Sequence, residues 1–146
     1  MGRRLFKELE RSYGFDEVAI VPGQLTINPE LTSTKMTVGS LEFEIPIMAS
    51  AMDGAVSPGF ASYMHEMGGL GVLNAEGVYT RYEDPYSVLE EIISCPQDEV
   101  TEFLQKVYSE PIKEELIGQR VHEIKNTGAT CAVSFTPQNT KRMSPP

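Results

Sequence analysis

Two apolar runs of the chain, residues 45–49 and 70–73, are each followed by side chains that can bind a polar or aromatic ligand. The four residues are Ser50, Met52, Asp53 and Asn74. Near-continuous apolar runs of this length predict buried parallel strands. The carboxyl ends of such strands form the active-site face of an α/β barrel, so the pattern predicts a ligand site at these positions.

A structural interpretation of the same residues stays open beside the functional one. Ser50 and Met52 can be a small residue and a core filler at a strand end. Asp53 precedes Gly54, which is ordinary turn chemistry, so bracing of the loop is favoured over helix capping or ligand contact.

Glycine-rich segments, cysteines and histidines often take part in binding or catalysis, but their positions in this sequence do not support such a role. The glycines of 68–71 fall between a helix and the next strand, on the stability face of a barrel, and do not complete a G-x-G-x-x-G motif. Cys131 lies inside a predicted strand and is expected to be a buried structural thiol. His65 and His122 lie on predicted helices and are expected at surface or packing positions. No metal site is predicted.

The elements that position the strand ends follow from local signals. A first core strand is predicted at about 45–50 and a second at about 70–74. Ser57-Pro58 predicts a helix N-terminus, because serine caps and proline suits the first helical position. Four residues at helical spacing are predicted to face inward: Phe60, Ala61, Met64 and Met67. Gly68-Gly69 predicts the helix end.

Three amphipathic helices are predicted within residues 84–127, and a third strand at 130–135 follows them. The order β-α-β-(α-α-α)-β predicts the α/β fold class with a parallel sheet. A complete (β/α)₈ TIM barrel takes roughly 250 residues, so this stretch predicts the N-terminal part of one, with an extra helical segment between strands two and three.

The residues before the first core strand are predicted to form a lead-in segment that precedes the barrel. Residues 1–12 are charged and suit a short helix, residues 13–34 are irregular, and a short hairpin is predicted at 36–38 and 41–43. The predicted domains are therefore a lead-in segment with a hairpin, 1–44, and a partial TIM barrel, 45–146. The residues after the third strand predict no further element.

Composition narrows the class of protein. The 146 residues carry a formal net charge of −9. That balance argues against a nucleic-acid partner, because phosphate-backbone binders need clustered Lys and Arg. The two cysteines show neither disulfide nor metal spacing, so a cytoplasmic location is expected. Neither a signal peptide nor a membrane span is predicted at the N-terminus.

Several segments together resemble the IMP dehydrogenase / GMP reductase family, in particular its actinobacterial-type branch without CBS modules. The segments are Ile47-Met-Ala-Ser-Ala-Met-Asp-Gly-Ala-Val-Ser57, Met67-Gly-Gly-Leu-Gly-Val-Leu-Asn74, Tyr13-Gly-Phe-Asp-Glu-Val-Ala-Ile-Val-Pro22, Leu73-Asn-Ala-Glu-Gly-Val-Tyr-Thr-Arg-Tyr-Glu-Asp-Pro85 and Tyr108-Ser-Glu-Pro-Ile-Lys-Glu-Glu-Leu-Ile-Gly118. Their order along residues 13–140 makes the resemblance specific.

The resemblance implies a TIM barrel that acts on a purine mononucleotide, IMP or GMP, with NAD or NADP as cofactor, in a homo-oligomer that is generally a tetramer. It also implies that the Ser50 hydroxyl hydrogen-bonds the nucleotide and that Met52 packs against the purine, which suits a polarizable thioether. The family's chemistry is attack of a cysteine thiolate on purine C2 with hydride transfer to or from the cofactor.

The family's catalytic cysteine lies in a Gly-Ser-x-Cys-x-Thr loop, and the sequence contains no such motif. No catalytic residue is therefore expected in this chain, which alone is expected to be inactive. Asn74-Ala75 replaces the His-Lys positions of many family members. Two alternatives remain: a non-catalytic truncated product or subunit-docking fragment, and another TIM-barrel enzyme of phosphorylated substrates.

Overall fold

The computed structural model describes residues 10–143. The chain divides into two compact units, Met1–Ser33 and Thr34–Pro146. The short helix predicted in residues 1–12 falls mostly on positions outside the described residues. The described part of the first unit is irregular, as predicted, with two single 3₁₀ turns at Phe15–Glu17 and Pro29–Leu31.

The second unit begins with the predicted hairpin. Strand β1, Met36–Val38, pairs antiparallel with β2, Leu41–Phe43, and Met36 lies opposite Phe43. This prediction is confirmed.

A three-stranded parallel sheet forms the centre of the second unit. Its strands are β3, Met48–Ala49; β4, Leu70–Asn74; and β5, Ala132–Ser134, in the order β3-β4-β5. The predicted parallel α/β order is confirmed. Strands β3 and β5 are shorter than predicted. Before β3, the backbone N–H groups of Glu44 and Ile45 bond to the carbonyl of Gly68 instead of to a strand.

Helix α1, Pro58–Glu66, covers one face of the sheet. The Ser57 hydroxyl accepts a hydrogen bond from the Phe60 N–H at 3.0 Å, and Gly68 adopts φ +82° beyond the helix end. Both predicted helix signals are therefore confirmed.

The predicted inward face of α1 is partly wrong, because Phe60 is 38% exposed and Met67 is 51% exposed. The helix meets β4 through small residues. A Cβ at Gly71 would lie 2.7 Å from the Ala61 Cα. Such a close approach buries only a narrow face of the helix, and the flanking large side chains remain at its border.

The connection between β4 and β5 contains the three predicted helices: α2, Pro85–Ser94; α3, Val100–Ser109; and α4, Glu114–Asn126. The Asp84 carboxylate caps α2 by accepting from the Ser87 N–H at 3.2 Å.

The core lies where α1 and α4 meet the sheet. Its buried members are Val56, Ala61, Leu73, Tyr79, Ile124 and Ala129. Cys131 packs against this core, and burial raises the pKa of its thiol.

A helix that the sequence analysis did not predict follows β5. Helix α5 spans Pro137–Met143, and the Thr136 carbonyl accepts from the N–H groups of Asn139 and Thr140. The Thr136-Pro137 pair supplies the same cap-and-proline signal that begins α1. Within residues 10–143, no helix has the length and apolarity needed to cross a membrane.

Candidate functional site

The four predicted site residues all lie at the carboxyl ends of strands. Ser50 follows β3 directly and is exposed, and Met52 is 58% exposed. Asp53 is 8% exposed, and Asn74 is the last residue of β4. The loop after β3 therefore presents a hydroxyl and a thioether to solvent and turns a carboxylate inward.

Strand register separates these residues into two groups. The pairing of β3 with β4 ends at Ala49 and Gly71, whereas Asn74 pairs with Ser134 at the end of β5. The end of β4 thus extends beyond the last pair with β3. Asn74 lies beside the β5 end, and the loop that carries Ser50 and Met52 lies at the β3 end.

Asp53 joins the β3 loop to the segment after β4. Its Oδ2 atom accepts from the Val78 N–H at 2.8 Å and from the Tyr108 hydroxyl at 2.6 Å. Its Oδ1 atom is buried and has no hydrogen-bond partner among the described residues. These contacts agree with the bracing role favoured for Asp53, because a buried carboxylate held by two donors fixes the backbone on either side of it.

Tyr108 comes from α3, outside the sheet. Burial, together with the hydrogen bond to Asp53 and that residue's charge, raises the pKa of the Tyr108 phenol well above its ordinary value, and the Arg81 charge opposes the rise only in part. The Arg81 guanidinium lies 5.7 Å from the centre of the Tyr108 ring. Tyr108 is therefore a neutral hydrogen-bond donor to Asp53 throughout the physiological pH range.

Asn74 shapes the turn after β4. Its side-chain Oδ1 accepts from the Glu76 N–H at 3.0 Å, which is the geometry of an Asx turn. One polar atom of Asn74 is thus already engaged in this structure. Its predicted role in substrate binding remains a prediction.

Glu76 links the end of β4 to the end of β5. Its carboxylate accepts from the Thr136 N–H at 2.6 Å and from the Thr136 hydroxyl at 2.8 Å. Desolvation raises the pKa of Glu76, but the hydrogen bonds from Thr136 and Asn139 and the charge of Arg81 outweigh it, so the pKa lies below its ordinary value.

Sequence reasoning missed Glu76, Tyr108 and Thr136. Glu76 and Thr136 each lie two residues beyond a strand end, so the rule that selected Ser50 and Asn74 could have found them. Tyr108 carried no such signal, because it lies in an amphipathic stripe beside Val107, and its partner lies 55 positions earlier.

A groove of about 560 Å³ opens beside the β3 loop. Its lining comes mainly from the β3 loop and α2, with α3 adding Leu104 and Tyr108, and it includes Asp53, Phe60, Tyr79 and Tyr86. This groove is largely apolar and aromatic. A larger cavity, about 720 Å³, lies between α4, β5 and α5, away from the predicted residues.

In residues 10–143, no group of three or more His, Cys, Asp or Glu side chains is arranged to hold a metal ion.

The parallel strands, the covering helices and the polar strand ends define part of an α/β barrel. The sequence profile of the IMP dehydrogenase / GMP reductase domain matches residues 12–102. The chain belongs to this family.

Individual relatives agree with that assignment. A protein named uncharacterized oxidoreductase from Mycolicibacterium smegmatis is 34% identical over 140 residues, which is 92% of this chain and 37% of the relative. An inosine-5'-monophosphate dehydrogenase from Methanocaldococcus jannaschii is 33% identical over 67 residues, covering 46% of this chain and 14% of that enzyme.

The crystal structure of an IMP dehydrogenase/GMP reductase-like protein from Corynebacterium glutamicum superposes with a TM-score of 0.85 at 29% identity. The match covers 95% of this chain and 38% of that structure. The predicted fold class, the N-terminal part of a TIM barrel, is confirmed by this likeness. The chain spans a little over a third of the length of the Mycolicibacterium smegmatis and Corynebacterium glutamicum proteins.

Proposed function

We propose that this protein is a purine nucleotide oxidoreductase of the IMP dehydrogenase or GMP reductase type, and that the chain contributes part of the nucleotide pocket. The proposal depends on one observation above the others. In a chain of this family, Ser50 and Met52 lie two residues apart on the β3 loop, at the end of a barrel strand, and both have exposed side chains. Family membership favours this function over an unrelated barrel enzyme.

The two side chains have complementary roles in the proposed pocket. The Ser50 hydroxyl can donate to and accept from a nucleotide, and the Met52 thioether can pack on the purine ring. The inward Asp53 carboxylate holds the loop that carries both. These residues supply binding and orientation, and none of them is assigned a step in the chemistry.

The nicotinamide cofactor, NAD or NADP, enters the proposal through the family. The described strand ends do not fit its pyrophosphate. Asp53 and Glu76 are carboxylates, and the Arg81 side chain donates to the backbone carbonyls of Glu76 and Glu110. Anionic phosphates are disfavoured next to such carboxylates. We therefore assign no residue of these strand ends to the cofactor or to the phosphate of the nucleotide.

Titration of the chain with IMP and GMP, followed by amide chemical shifts, tests the binding proposal. We expect saturable shifts at Ser50 and Met52 with a purine nucleotide and not with CMP. Ser50→Ala should weaken the affinity by about tenfold, in line with loss of one hydrogen bond to a charged or polar ligand. Ser94→Ala, at the end of α2, is the matched control and should change nothing. Absence of saturable binding of either purine nucleotide contradicts the proposal.

A chimera tests the oxidoreductase proposal. In it, this chain replaces the matching 140 residues of the Mycolicibacterium smegmatis relative. We expect reduction of NAD or NADP with IMP, or oxidation of the reduced cofactor with GMP, followed by the absorbance of reduced nicotinamide. The intact relative is the control. Turnover by the relative and none by a folded chimera would count against the proposed activity of this chain.

A further inference from the structure

We infer that Tyr108 is a positioning residue for the nucleotide: from α3, it fixes the Asp53 carboxylate and so holds the loop that presents Ser50 and Met52. The inference rests on the proposed function and extends it, because it makes the helical connection between β4 and β5 part of the machinery that shapes the pocket.

The contact between Tyr108 and Asp53 is short and partly desolvated. The hydroxyl lies 2.6 Å from Asp53 Oδ2, and the same oxygen accepts from the Val78 N–H at 2.8 Å. Hydrogen bonds to an ionised acceptor are shorter and about twice as strong as those between neutral groups. The carboxylate is therefore held from two sides, by α3 and by the 3₁₀ turn at Val78–Thr80.

The β3 loop has few other anchors. Its backbone closes on itself, with the Met52 carbonyl accepting from the N–H groups of Ala55 and Val56 at 2.9 Å. Between residues 50 and 57, Ser50 and Met52 are exposed, and the buried side chains are those of Asp53 and Val56. Because a loop that is free before binding must be ordered by the ligand at a cost in affinity, a fixed Asp53 favours nucleotide binding.

Tyr108 is suited to hold the loop because α3 is itself fastened to the segment after β4. The Tyr82 hydroxyl donates to the Val107 carbonyl at 3.0 Å. Arg81 donates to the carbonyls of Glu76, at 3.0 Å, and of Glu110. After α3 ends, the Lys113 N–H at the start of α4 donates to the Thr80 carbonyl at 2.9 Å. A tyrosine on this fastened helix can transmit its position to the loop, whereas a tyrosine on a loosely held helix could not.

The test compares Tyr108→Phe with wild type in the whole 146-residue chain. The matched control is Tyr63→Phe, the same chemical change at an exposed position of α1. Hydrogen exchange at the Ala55 and Val56 amides reports loop order without any nucleotide. Titration with IMP and GMP reports affinity. We expect Tyr108→Phe to speed exchange at both amides by about tenfold and to weaken the nucleotide affinity by about tenfold, while Tyr63→Phe changes neither.

A double-mutant cycle separates positioning through Asp53 from a general loss of stability. If Tyr108 acts through Asp53, adding Tyr108→Phe to Asp53→Asn causes no further loss of nucleotide affinity. Additive losses of affinity would overturn the inference. So would unchanged exchange at Ala55 and Val56, or an unchanged affinity in Tyr108→Phe when wild type binds.

Failure of the proposed function gives a different result. If wild type binds neither IMP nor GMP, the proposed function is overturned and the nucleotide part of the inference is lost with it. The exchange rates in Tyr108→Phe then decide whether the residue orders the β3 loop.

Discussion

Gly77 lies so close to Asp53 that a Cβ atom at position 77 would be 1.8 Å from Asp53 Oδ1 and 2.4 Å from its Cγ. The carboxylate cannot retreat, because Val78 and Tyr108 hold its other oxygen. We therefore expect Gly77→Ala to lower the free energy of unfolding by about 1–3 kcal/mol, the range for overpacking of a buried site. Urea denaturation measures this loss.

Gly118→Ala is the control for Gly77→Ala. Gly118 lies in α4, and a Cβ there would meet nothing within 4 Å. Alanine in a helix interior is favoured over glycine by about 0.5–1 kcal/mol, so this variant should gain stability. A Gly77→Ala variant that unfolds at the same urea concentration as wild type would mean that the Asp53 carboxylate is not fixed.

Arg120 is expected to be the charged side chain on α4 that matters most for stability. It is 7% exposed and donates to the carbonyls of Tyr79 at 3.0 Å and Glu83 at 2.9 Å. Arg120→Met leaves the buried Tyr79 carbonyl and the more exposed Glu83 carbonyl without that donor, and a buried acceptor left unpaired costs about 1–3 kcal/mol. We expect a total loss of about 2–4 kcal/mol in thermal or urea unfolding.

Glu123→Gln serves as the comparison for Arg120→Met. Glu123 accepts from Arg120 at 2.6 Å, but its side chain is far more exposed than that of Arg120. Ion pairs with an exposed member contribute about 0–1 kcal/mol, so the variant should lose little. Equal losses in the two variants would show that the ion pair, rather than the carbonyl contacts, holds this part of α4.

The features that were correctly predicted from the sequence are those determined by residues close together along the chain. The Ser57-Pro58 cap and the left-handed Gly68 are local, and both are confirmed. Apolar runs predicted the three parallel strands and therefore the edge that carries Ser50. In these cases, the physical cause lies within about four residues of the effect.

Most features that were not predicted from the sequence depend on contacts between residues far apart along the chain. Tyr108 reaches Asp53 across 55 positions, and no local pattern indicates that contact. The exposed Phe60 borders the small-residue contact of Ala61 in α1 with Gly71 in β4, and that contact depends on how closely the two elements approach. The helix after Thr136 is a different case, because its Thr-Pro signal is as local as the Ser-Pro signal that begins α1.

The two cysteines should be slow to alkylate. Burial raises the pKa of Cys95, with the charges of Glu99 and Asp98 adding to the rise, and burial also raises that of Cys131, with Lys125 opposing it. Since the thiolate is the nucleophile, both should react with iodoacetamide at neutral pH more slowly than a free cysteine, and the rate should climb as pH rises.

Mass spectrometry of a Cys95→Ser variant isolates the reaction of Cys131. We expect Cys131 in this variant to react more slowly than Cys95 does in wild type, because Cys131 packs against the core. Alkylation of Cys131 at neutral pH as fast as that of a model peptide would contradict both its packing and the raised pKa of its thiol.

Glu76 should make stability depend on pH in the acidic range. Its folded-state pKa lies below the ordinary glutamate value, so its contribution is complete above that value, about 4.3, and is lost as pH falls through the lowered pKa. Glu76→Gln can still accept from Thr136 but does not titrate. Urea unfolding of both proteins from about pH 6 to pH 3 should therefore show a steeper loss in wild type. Since every other carboxylate is common to both, parallel curves would show that the Thr136 hydrogen bonds do not favour the ionised form of Glu76.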